Sequence, residues 1–299
     1  MLSNFQQVID EAKKRGGGTV AIAGAEGRAV LEAVKIGQDV GILKPIFVGD
    51  QKKIEQISSE MDFDLSGISI HPAVDEADAA DKAVALVDSG EADSLMKGKV
   101  PTPTLLKAVL NKAYNLRTGR LLSHIAMFQV PSYHKLLLTT DGGMVIRPTL
   151  EQKADILRNA VSVILKLGIT QPKVAVLAAI ENVNPDMPET RDAADIQSMS
   201  QKGEFGNVIV EGPLALDIAV SREAAKIKGV ESMVSGDPDI LLVPDIASGN
   251  ILGKSLWHLA KALSAGLVVG ARKPIILLSR SDNAQTKLNS MALAIVTSQ

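Results

Sequence analysis

Ser279 and Arg280 place a hydroxyl and a guanidinium, two groups that can bind an anion, next to each other near the end of this sequence. They follow a short apolar run, Ile275 to Leu278, which predicts a buried strand, and they precede a helical pattern. Asp282 or Asn283 is expected to cap that helix. In parallel α/β proteins, anions bind where a strand ends beside a helix N-terminus. Considered alone, the segment fits a capped loop with a solvated arginine better.

A second polar group lies in the segment SLMKGKVPTPTLLKAVL. Lys97 and Lys99 flank a glycine at the predicted end of a strand, and Thr102 and Thr104 stand at the start of a helix. Two ammonium groups, a hydroxyl and free backbone N–H groups are suited to hold a phosphate. The residues fit equally well a solvated loop in which Thr104 caps the helix.

The tripeptide Gly-Lys-Ser at 253–255 follows another predicted strand and looks like the end of a phosphate-binding P-loop. That motif requires a glycine where this sequence has Ser248, and Gly249 lies one position too close. We therefore do not expect a P-loop. A turn from which Asn250 and Lys254 contact a ligand is one interpretation, and a capped helix with a surface lysine is the other.

Asp141 is followed by two glycines at the end of a further predicted strand, where the backbone can approach a ligand closely. A crossover between domains would use the same residues, and Asp141 alone fits the crossover better.

The four histidines lack the spacing of metal ligands or of a Ser-His-Asp triad, and there is no cysteine. We expect no metal site and no thiolate chemistry. Gly24 to Gly27 lacks the full dinucleotide-binding pattern.

The composition is 46% apolar and 22% charged, as in globular proteins. Aromatic residues make up 3%, the net charge is −2 and no basic run occurs, which argues against a nucleic-acid partner. The N-terminal segment predicts an amphipathic helix rather than a signal peptide. No segment approaches the roughly 20 apolar residues of a membrane span. We therefore expect a cytoplasmic enzyme or binding protein, with neither nucleic acid nor membrane as partner.

The elements that position these residues are short apolar runs alternating with helical patterns of 10–15 residues. Such alternation predicts βαβ units with mostly parallel sheets. The runs form two series that meet near Asp141, which favours two α/β domains with a cleft between them. Strands are predicted at 19–24, 45–50, 68–72, 94–98, 123–130, 135–140, 173–180, 207–212, 239–245, 266–271 and 275–278. The later helices include 148–168, 190–202, 214–227 and 252–263.

Taken together, these segments resemble the phosphate acetyl/butyryl transferase family, and its butyryl-type branch most closely. The resemblance covers essentially the whole chain through blocks in the same order: LMKGKVPTPTLLKAVLN, LLSHIAMF, TTDGGMVIRPTLEQKADIL, ENVNPDMPET, VEGPLALDIAVS, LLVPDIASGNILGKSL and LSRSDNAQTKLNSMALAI. It implies two three-layer α/β domains with mostly parallel sheets around a central cleft, as in isocitrate and isopropylmalate dehydrogenases. The implied first domain is 1–129 plus 264–299, with 130–263 inserted as the second.

The resemblance implies a homodimeric acyltransferase that moves a butyryl or branched acyl group between coenzyme A and inorganic phosphate, without a metal or a tightly bound cofactor. Ser279 and Arg280 match the family's Ser-Arg pair, whose implied roles are to polarise the acyl carbonyl and to bind the phosphoryl group. The residues expected to bind the substrates are Lys97, Thr102, Asp141, Asn250 and Lys254.

The sequence departs from the family pattern at two positions. Acetyl-type members carry an aspartate seven residues after the serine, assigned as the base for the thiol, where this chain has Thr286. Gly253 stands where an aromatic residue is expected. Alternatives to butyryl transfer are acetyl specificity, a metal-dependent dehydrogenase of the same architecture, a nucleotide kinase using the 249–255 loop, and a non-catalytic protein that binds coenzyme A or phosphate.

Overall fold

The computed structural model describes residues 2–277 and 282–298 of the chain. The chain divides into two compact units. The discontinuous unit contains Phe5–Arg120 and Ala265–Gln299, and the inserted unit contains Met1–Asn4 and Leu121–Ser264.

Six strands and six helices make up the described part of the discontinuous unit. The strands are β1 (Gly18–Ala23), β2 (Leu43–Gly49), β3 (Ser69–Pro72), β4 (Ser94–Lys97), β10 (Leu263–Val269) and β11 (Ile275–Ile276). The helices are α1 (Phe5–Lys14), α2 (Arg28–Asp39), α3 (Gln51–Glu60), α4 (Glu76–Asp88), α5 (Thr102–Val109) and α11 (Ala284–Ser298). The strand order is β3-β2-β1-β4-β11-β10, and every pair is parallel except β10 with β11.

Helix α11 forms the centre of this unit. The side-chain oxygen of Asn283 accepts a hydrogen bond from the Thr286 N–H at 2.8 Å, which confirms one of the two predicted caps. All but one of residues 286–298 are buried, and the helix packs against α1, α2 and β11. A helix that is buried on nearly every face belongs to the core.

The inserted unit contains five strands and five helices among the described residues. Its strands are β5 (Ser123–Gln129), β6 (Leu136–Thr140), β7 (Lys173–Leu177), β8 (Ile209–Leu214) and β9 (Ile240–Leu242). Its helices are α6 (Leu150–Lys166), α7 (Pro188–Gln201), α8 (Leu216–Val220), α9 (Arg222–Ile227) and α10 (Ile246–His258). The order is β5-β6-β9-β7-β8, parallel throughout except for β5 with β6. The predicted mixed α/β fold with mostly parallel strands is confirmed.

The predicted domain boundary after residue 129 differs from the observed division. Strand β5 lies in the inserted unit because it pairs with β6 along its length, from Ile125 opposite Thr140 to Gln129 opposite Leu136. The first residues also belong there, since the Leu2 N–H donates to the Leu167 carbonyl oxygen at 2.9 Å. A hairpin partner, rather than the turn near Asp141, sets the boundary.

Two predicted helices are wrong in their limits. The helix predicted at 252–263 is α10, which begins at Ile246 because Asp245 caps it and accepts hydrogen bonds from the N–H and the hydroxyl of Ser248, both at 2.8 Å. The helix predicted at 214–227 is divided into α8 and α9 at Ser221, whose hydroxyl accepts the Ala224 N–H at 3.2 Å. In both cases the observed helix begins where a polar side chain caps it by accepting a backbone N–H.

Charged side chains join the amino ends of β6, β7 and β9. Asp237 accepts hydrogen bonds from Lys173 at 2.6 Å, from Lys135 at 2.9 Å and from His134 at 2.8 Å. Lys135 also pairs with the buried Asp239 at 2.6 Å. Burial raises the pKa of Asp237, but the three donors outweigh it and hold the pKa well below its ordinary value of 3.8.

Among the described helices, none is long and apolar enough to cross a membrane.

Candidate active site

In the inserted unit, Asp141 lies directly after β6 and is buried. Its carboxylate accepts hydrogen bonds from the backbone N–H groups of Gly143 at 2.7 Å, Met144 at 2.9 Å and His124 at 3.0 Å. Three such bonds occupy both carboxylate oxygens. Asp141 therefore holds the loop after β6 in place with its carboxylate, where a direct contact with a ligand was predicted.

This loop packs directly on the first turns of α10. The side-chain amide of Asn250 donates to the Gly142 carbonyl oxygen at 3.4 Å. A Cβ atom on Gly142 would lie 2.7 Å from the backbone carbon of Gly249, so only glycine permits this approach. The structure thus brings the predicted residues Asp141 and Asn250 together. Asn250 lies on helix α10 and not on the turn that was predicted.

Lys254 follows Asn250 by one helical turn on α10 and is exposed. Residues four apart share one face of a helix, so a ligand could contact both side chains. The neighbouring Gly253 faces the ring of Phe128, whose Cζ would be 3.3 Å from a Cβ at position 253. Phe128 comes from β5 and is buried, so its ring fills the space next to the position where an aromatic residue was expected.

A pocket lies at the carboxyl ends of β7 and β9 in the inserted unit, with a volume of about 530 Å³. Leu177, Val243 and Leu252 give it an apolar wall, and Arg147 lines it as well. Asp245, the cap of α10, also lines the pocket, and its hydrogen bonds from the N–H and hydroxyl of Ser248 hold its pKa below the ordinary value. The loop after β6 was predicted from the sequence, but this pocket was not.

In the discontinuous unit, Lys97 ends β4 and its ammonium group donates to the carbonyl oxygens of Gly98 at 3.0 Å and Val100 at 3.3 Å. The backbone N–H groups of Gly98 and Lys99 donate to the carbonyl oxygens of Ala23 and Gly24, at 2.8 and 2.7 Å. The loops that follow β1 and β4 are therefore locked together. Lys97 helps to shape this loop from within, whereas Lys99 is exposed.

These two loops, with the first turns of α2 and α11, line a pocket of about 490 Å³. Four cations and one carboxylate surround it, together with an apolar wall: Arg28, Lys97, Lys99, Lys287, Glu26, Val30, Ile57 and Met96. Sequence reasoning missed Arg28 and Lys287. Arg28 opens a helix just after a strand, a position that signals an anion site even where the dinucleotide-binding pattern is incomplete.

The two threonines of the same segment lie apart from this pocket. Thr102 is the first residue of α5, whose cap is Pro101, and its side chain is half-buried. Thr104 lines a separate groove with Asp81 and Lys107. The prediction that Thr104 caps the helix is wrong, and neither threonine is among the residues that line the cation-rich pocket.

Ser279 and Arg280 lie outside the described residues. The strand before them, β11, pairs in parallel with β4 through Ile276 and Met96, so both strands end at the same edge of the sheet. Thr286, which replaces the expected aspartate, is buried in the first turn of α11. Within 2–277 and 282–298, no three His, Cys, Asp or Glu side chains are grouped as metal ligands.

Comparison with known proteins places these observations in a family. Residues 73–295 match the sequence profile described as "Phosphate acetyl/butaryl transferase". The chain is 42% identical to phosphate butyryltransferase of Clostridium acetobutylicum over 98% of both sequences. It is 41% identical to phosphate acetyltransferase of Thermotoga maritima, covering 98% of this chain and 99% of that one. A branched-chain phosphotransacylase from Enterococcus faecalis V583 superposes with a TM-score of 0.83 at 36% identity, over 94% of this chain and 98% of that one. The resemblance predicted from the sequence is confirmed, and the chain belongs to the phosphate acetyl/butaryl transferase family.

Proposed function

We propose that this chain transfers a short acyl group, butyryl or branched, between coenzyme A and phosphate: butanoyl-CoA + phosphate = butanoyl phosphate + CoA. The observation that carries the proposal is the 42% identity, along nearly the full length, to a relative named for butyryl transfer to phosphate. The cation-rich pocket of the discontinuous unit supports it, because coenzyme A and the acyl acceptor both carry phosphate groups.

In the direction that forms the acyl phosphate, a phosphate oxygen attacks the thioester carbonyl carbon. Negative charge collects on the carbonyl oxygen, the carbon–sulfur bond then breaks, and coenzyme A leaves as a thiolate. We assign Ser279 to donate a hydrogen bond to the charged oxygen, a contact typically worth about 3–4 kcal/mol in the transition state. We assign Arg280 to hold phosphate through paired hydrogen bonds, which a lysine cannot form. Both roles rest on the match of these residues to the family's Ser-Arg pair.

The proposal assigns no side chain as a base. Thr286 cannot accept a proton near neutral pH, and phosphate already reacts as an anion in this direction. Lys97, Thr102, Asn250 and Lys254 keep their proposed roles in substrate binding. Asp141 acts through the loop that it holds, because its carboxylate accepts hydrogen bonds from the backbone. The reaction so written needs no metal and no tightly bound cofactor.

We also propose a homodimer that associates through α10 and the segment after it. This region exposes three large apolar side chains, Ile251 at 66%, Leu259 at 81% and Leu263 at 41%. We take large apolar side chains exposed along one segment as a candidate interaction surface. Light scattering of the wild-type chain and of Leu259→Glu tests this proposal. We expect the mass of a dimer for the wild type and a lower mass for the variant, and a monomeric mass for both would contradict the proposal. The cytoplasmic location and the central cleft stay predictions from the sequence.

Acetyl transfer is the second candidate. The relative from Thermotoga maritima is named for acetyl transfer and is nearly as similar as the butyryl-type relative. Overall sequence identity therefore does not decide whether the transferred acyl group is butyryl or acetyl. Membership of the family favours acyl transfer over the dehydrogenase and kinase alternatives.

The test is the release of free coenzyme A from acyl-CoA when phosphate is added, measured with a thiol-reactive dye. The chain has no cysteine, so the thiol signal comes from coenzyme A alone. Butyryl-, isobutyryl-, isovaleryl- and acetyl-CoA are compared, with sulfate in place of phosphate as the matched control and with a chelator present. We expect phosphate-dependent release that is fastest with the four- and five-carbon substrates. If no acyl group of two to five carbons gives phosphate-dependent release, the proposal is wrong, and fastest release from acetyl-CoA would favour the second candidate.

A further inference from the structure

The pocket at the ends of β1 and β4 contains more positive charge than its loops need for their own structure. Four cations and one carboxylate line it, although the whole chain carries a net charge of −2. Lys97 is engaged with two carbonyl oxygens of its own loop. Lys99 is exposed and Lys287 is half-buried, and the described part of the chain contains no ion pair to either. These two ammonium groups are thus available to an anion.

The remaining charged residues of the pocket are also placed to admit an anion. Arg28 pairs with Glu60 at 3.2 Å, but about half of each side chain is exposed. Ion pairs of that kind contribute little, so the guanidinium can turn to a stronger acceptor. The carboxylate of Glu26 accepts the Asp50 N–H at 3.3 Å, which engages it with the end of β2.

The size and the apolar wall of the pocket indicate which kind of phosphate-bearing molecule fits it. Its volume of about 490 Å³ lies within the range of roughly 300–1,000 Å³ typical of sites for cofactors and small molecules. Inorganic phosphate would fill only a small part of it and would gain nothing from the apolar wall of Val30, Ile57 and Met96. A phosphorylated nucleoside uses both, because its base is apolar on its faces and its phosphates pair with the cations.

We infer that this pocket binds the phosphorylated nucleotide end of coenzyme A, and that Lys99, Lys287 and Arg28 are its phosphate ligands. The inference rests on the proposed function for the identity of the substrate. All of the negative charge of coenzyme A lies on its diphosphate and its ribose phosphate, while the pantetheine arm is neutral. The cations therefore select the nucleotide end, and the thiol end extends away from the pocket.

The experiment compares butyryl-CoA with butyryl-pantetheine, which lacks the nucleotide, as acyl donors to phosphate. Lys99→Gln and Lys287→Gln remove one charge each and keep a long polar side chain. Lys107→Gln, an exposed lysine on α5 outside the pocket, is the matched control. We expect each pocket variant to raise KM for butyryl-CoA about tenfold at unchanged kcat, the loss expected for one contact to a charged group. KM for butyryl-pantetheine and KM for phosphate should stay as in the wild type, and Lys107→Gln should alter neither.

An equal rise in KM for both thioesters, a rise confined to phosphate, or no rise at all would overturn the inference while leaving the proposed function intact. Calorimetric binding of coenzyme A gives a readout that is independent of catalysis. If the wild type shows no acyl transfer, tenfold weaker binding of coenzyme A to Lys99→Gln still supports the pocket, and unchanged binding refutes it.

Discussion

Replacing Gly98 with alanine tests whether the locked loops after β1 and β4 build the substrate pocket. An added Cβ would overlap the carbonyl oxygen of Gly24 and lie 2.7 Å from that of Ala23. Both oxygens accept backbone hydrogen bonds from the β4 loop, at 2.7 and 2.8 Å. The alanine cannot be accommodated by a side-chain rotation, because the atoms that it meets are backbone.

The cost can be worked out from these contacts. Forcing an extra carbon into a packed site costs about 1–3 kcal/mol. Separating the loops weakens two hydrogen bonds, each with a net contribution of about 1 kcal/mol. We therefore expect a loss of about 3 kcal/mol in the free energy of unfolding, which corresponds to a fall of roughly 6–12 °C in Tm for a unit of this size. Because Lys99 moves with the loop, KM for acyl-CoA should rise as well.

Thermal unfolding followed by circular dichroism measures the first effect, and initial rates at varied acyl-CoA measure the second. Gly27→Ala is the matched control for stability, since its Cβ would meet only the Val30 side chain, at 3.4 Å. It should cost less than about 1 kcal/mol, as expected for exchanging glycine at a helix cap. A difference of 2 °C in Tm corresponds to roughly 0.5–1 kcal/mol for a unit of this size. If Gly98→Ala unfolds within 2 °C of the wild type, the two loops are not locked as described.

Three further changes test other parts of the structure. Arg280→Ala should raise KM for phosphate and lower kcat, and Arg280→Lys should restore only part of the loss because it lacks the planar paired donors, as measured by rates at varied phosphate. Asp141→Ala should lower the free energy of unfolding in urea by about 2–4 kcal/mol, because it leaves several backbone N–H groups without their acceptor. Asp237→Asn should destabilise the chain at neutral pH, and its difference from the wild type should shrink as pH falls below 3.8, because a lowered carboxyl pKa stabilises the fold only while the group is ionised.

Each of these outcomes has a clear opposite. An unchanged phosphate dependence would remove Arg280 from the site. Equal stability of Asp141→Asn and Asp141→Ala, both close to the wild type, would mean that the loop holds without the carboxylate. A constant difference in Tm between Asp237→Asn and the wild type from neutral to acid pH would show that the ion pairs with Lys135 and Lys173 do not stabilise the ionised form.

The order of strands and helices could be predicted because nearly every element is an uninterrupted apolar or periodic run. The limits of α10 could not, since two glycines and an asparagine suggested a turn, and only the cap at Asp245 shows that the helix starts earlier. The observed division before Leu121 differs from the predicted boundary after residue 129, because strand pairing, here β5 with β6, is not encoded in either strand alone.

Single residues of the candidate site were predicted from their local sequence, at strand ends and helix starts, and not from their neighbours in space. Asp141 and Asn250, two of the predicted site residues, lie close together. The occupation of the Asp141 carboxylate by backbone N–H groups depends on a loop shape that composition does not reveal. The cation-rich pocket draws Arg28, Lys99 and Lys287 from three distant segments. Lys99 was recognised from the sequence beside Lys97, but Arg28 and Lys287 are ordinary surface residues by sequence. Only the packing of β1, β4 and α11 makes the three residues neighbours.

The central place of α11 has a consequence for how the chain matures on the ribosome. Strands β1 to β4 emerge early, but β11, which covers the edge of β4, and the core helix α11 come from the last part of the chain. At about 5–20 residues per second, β4 waits roughly 10–40 s for its neighbour. All five strands of the inserted unit are synthesised during that interval, so they pair with one another before β11 is made. The nascent first segment meanwhile presents an open parallel edge, the kind of surface that chaperones shield and that associates between chains when left uncovered.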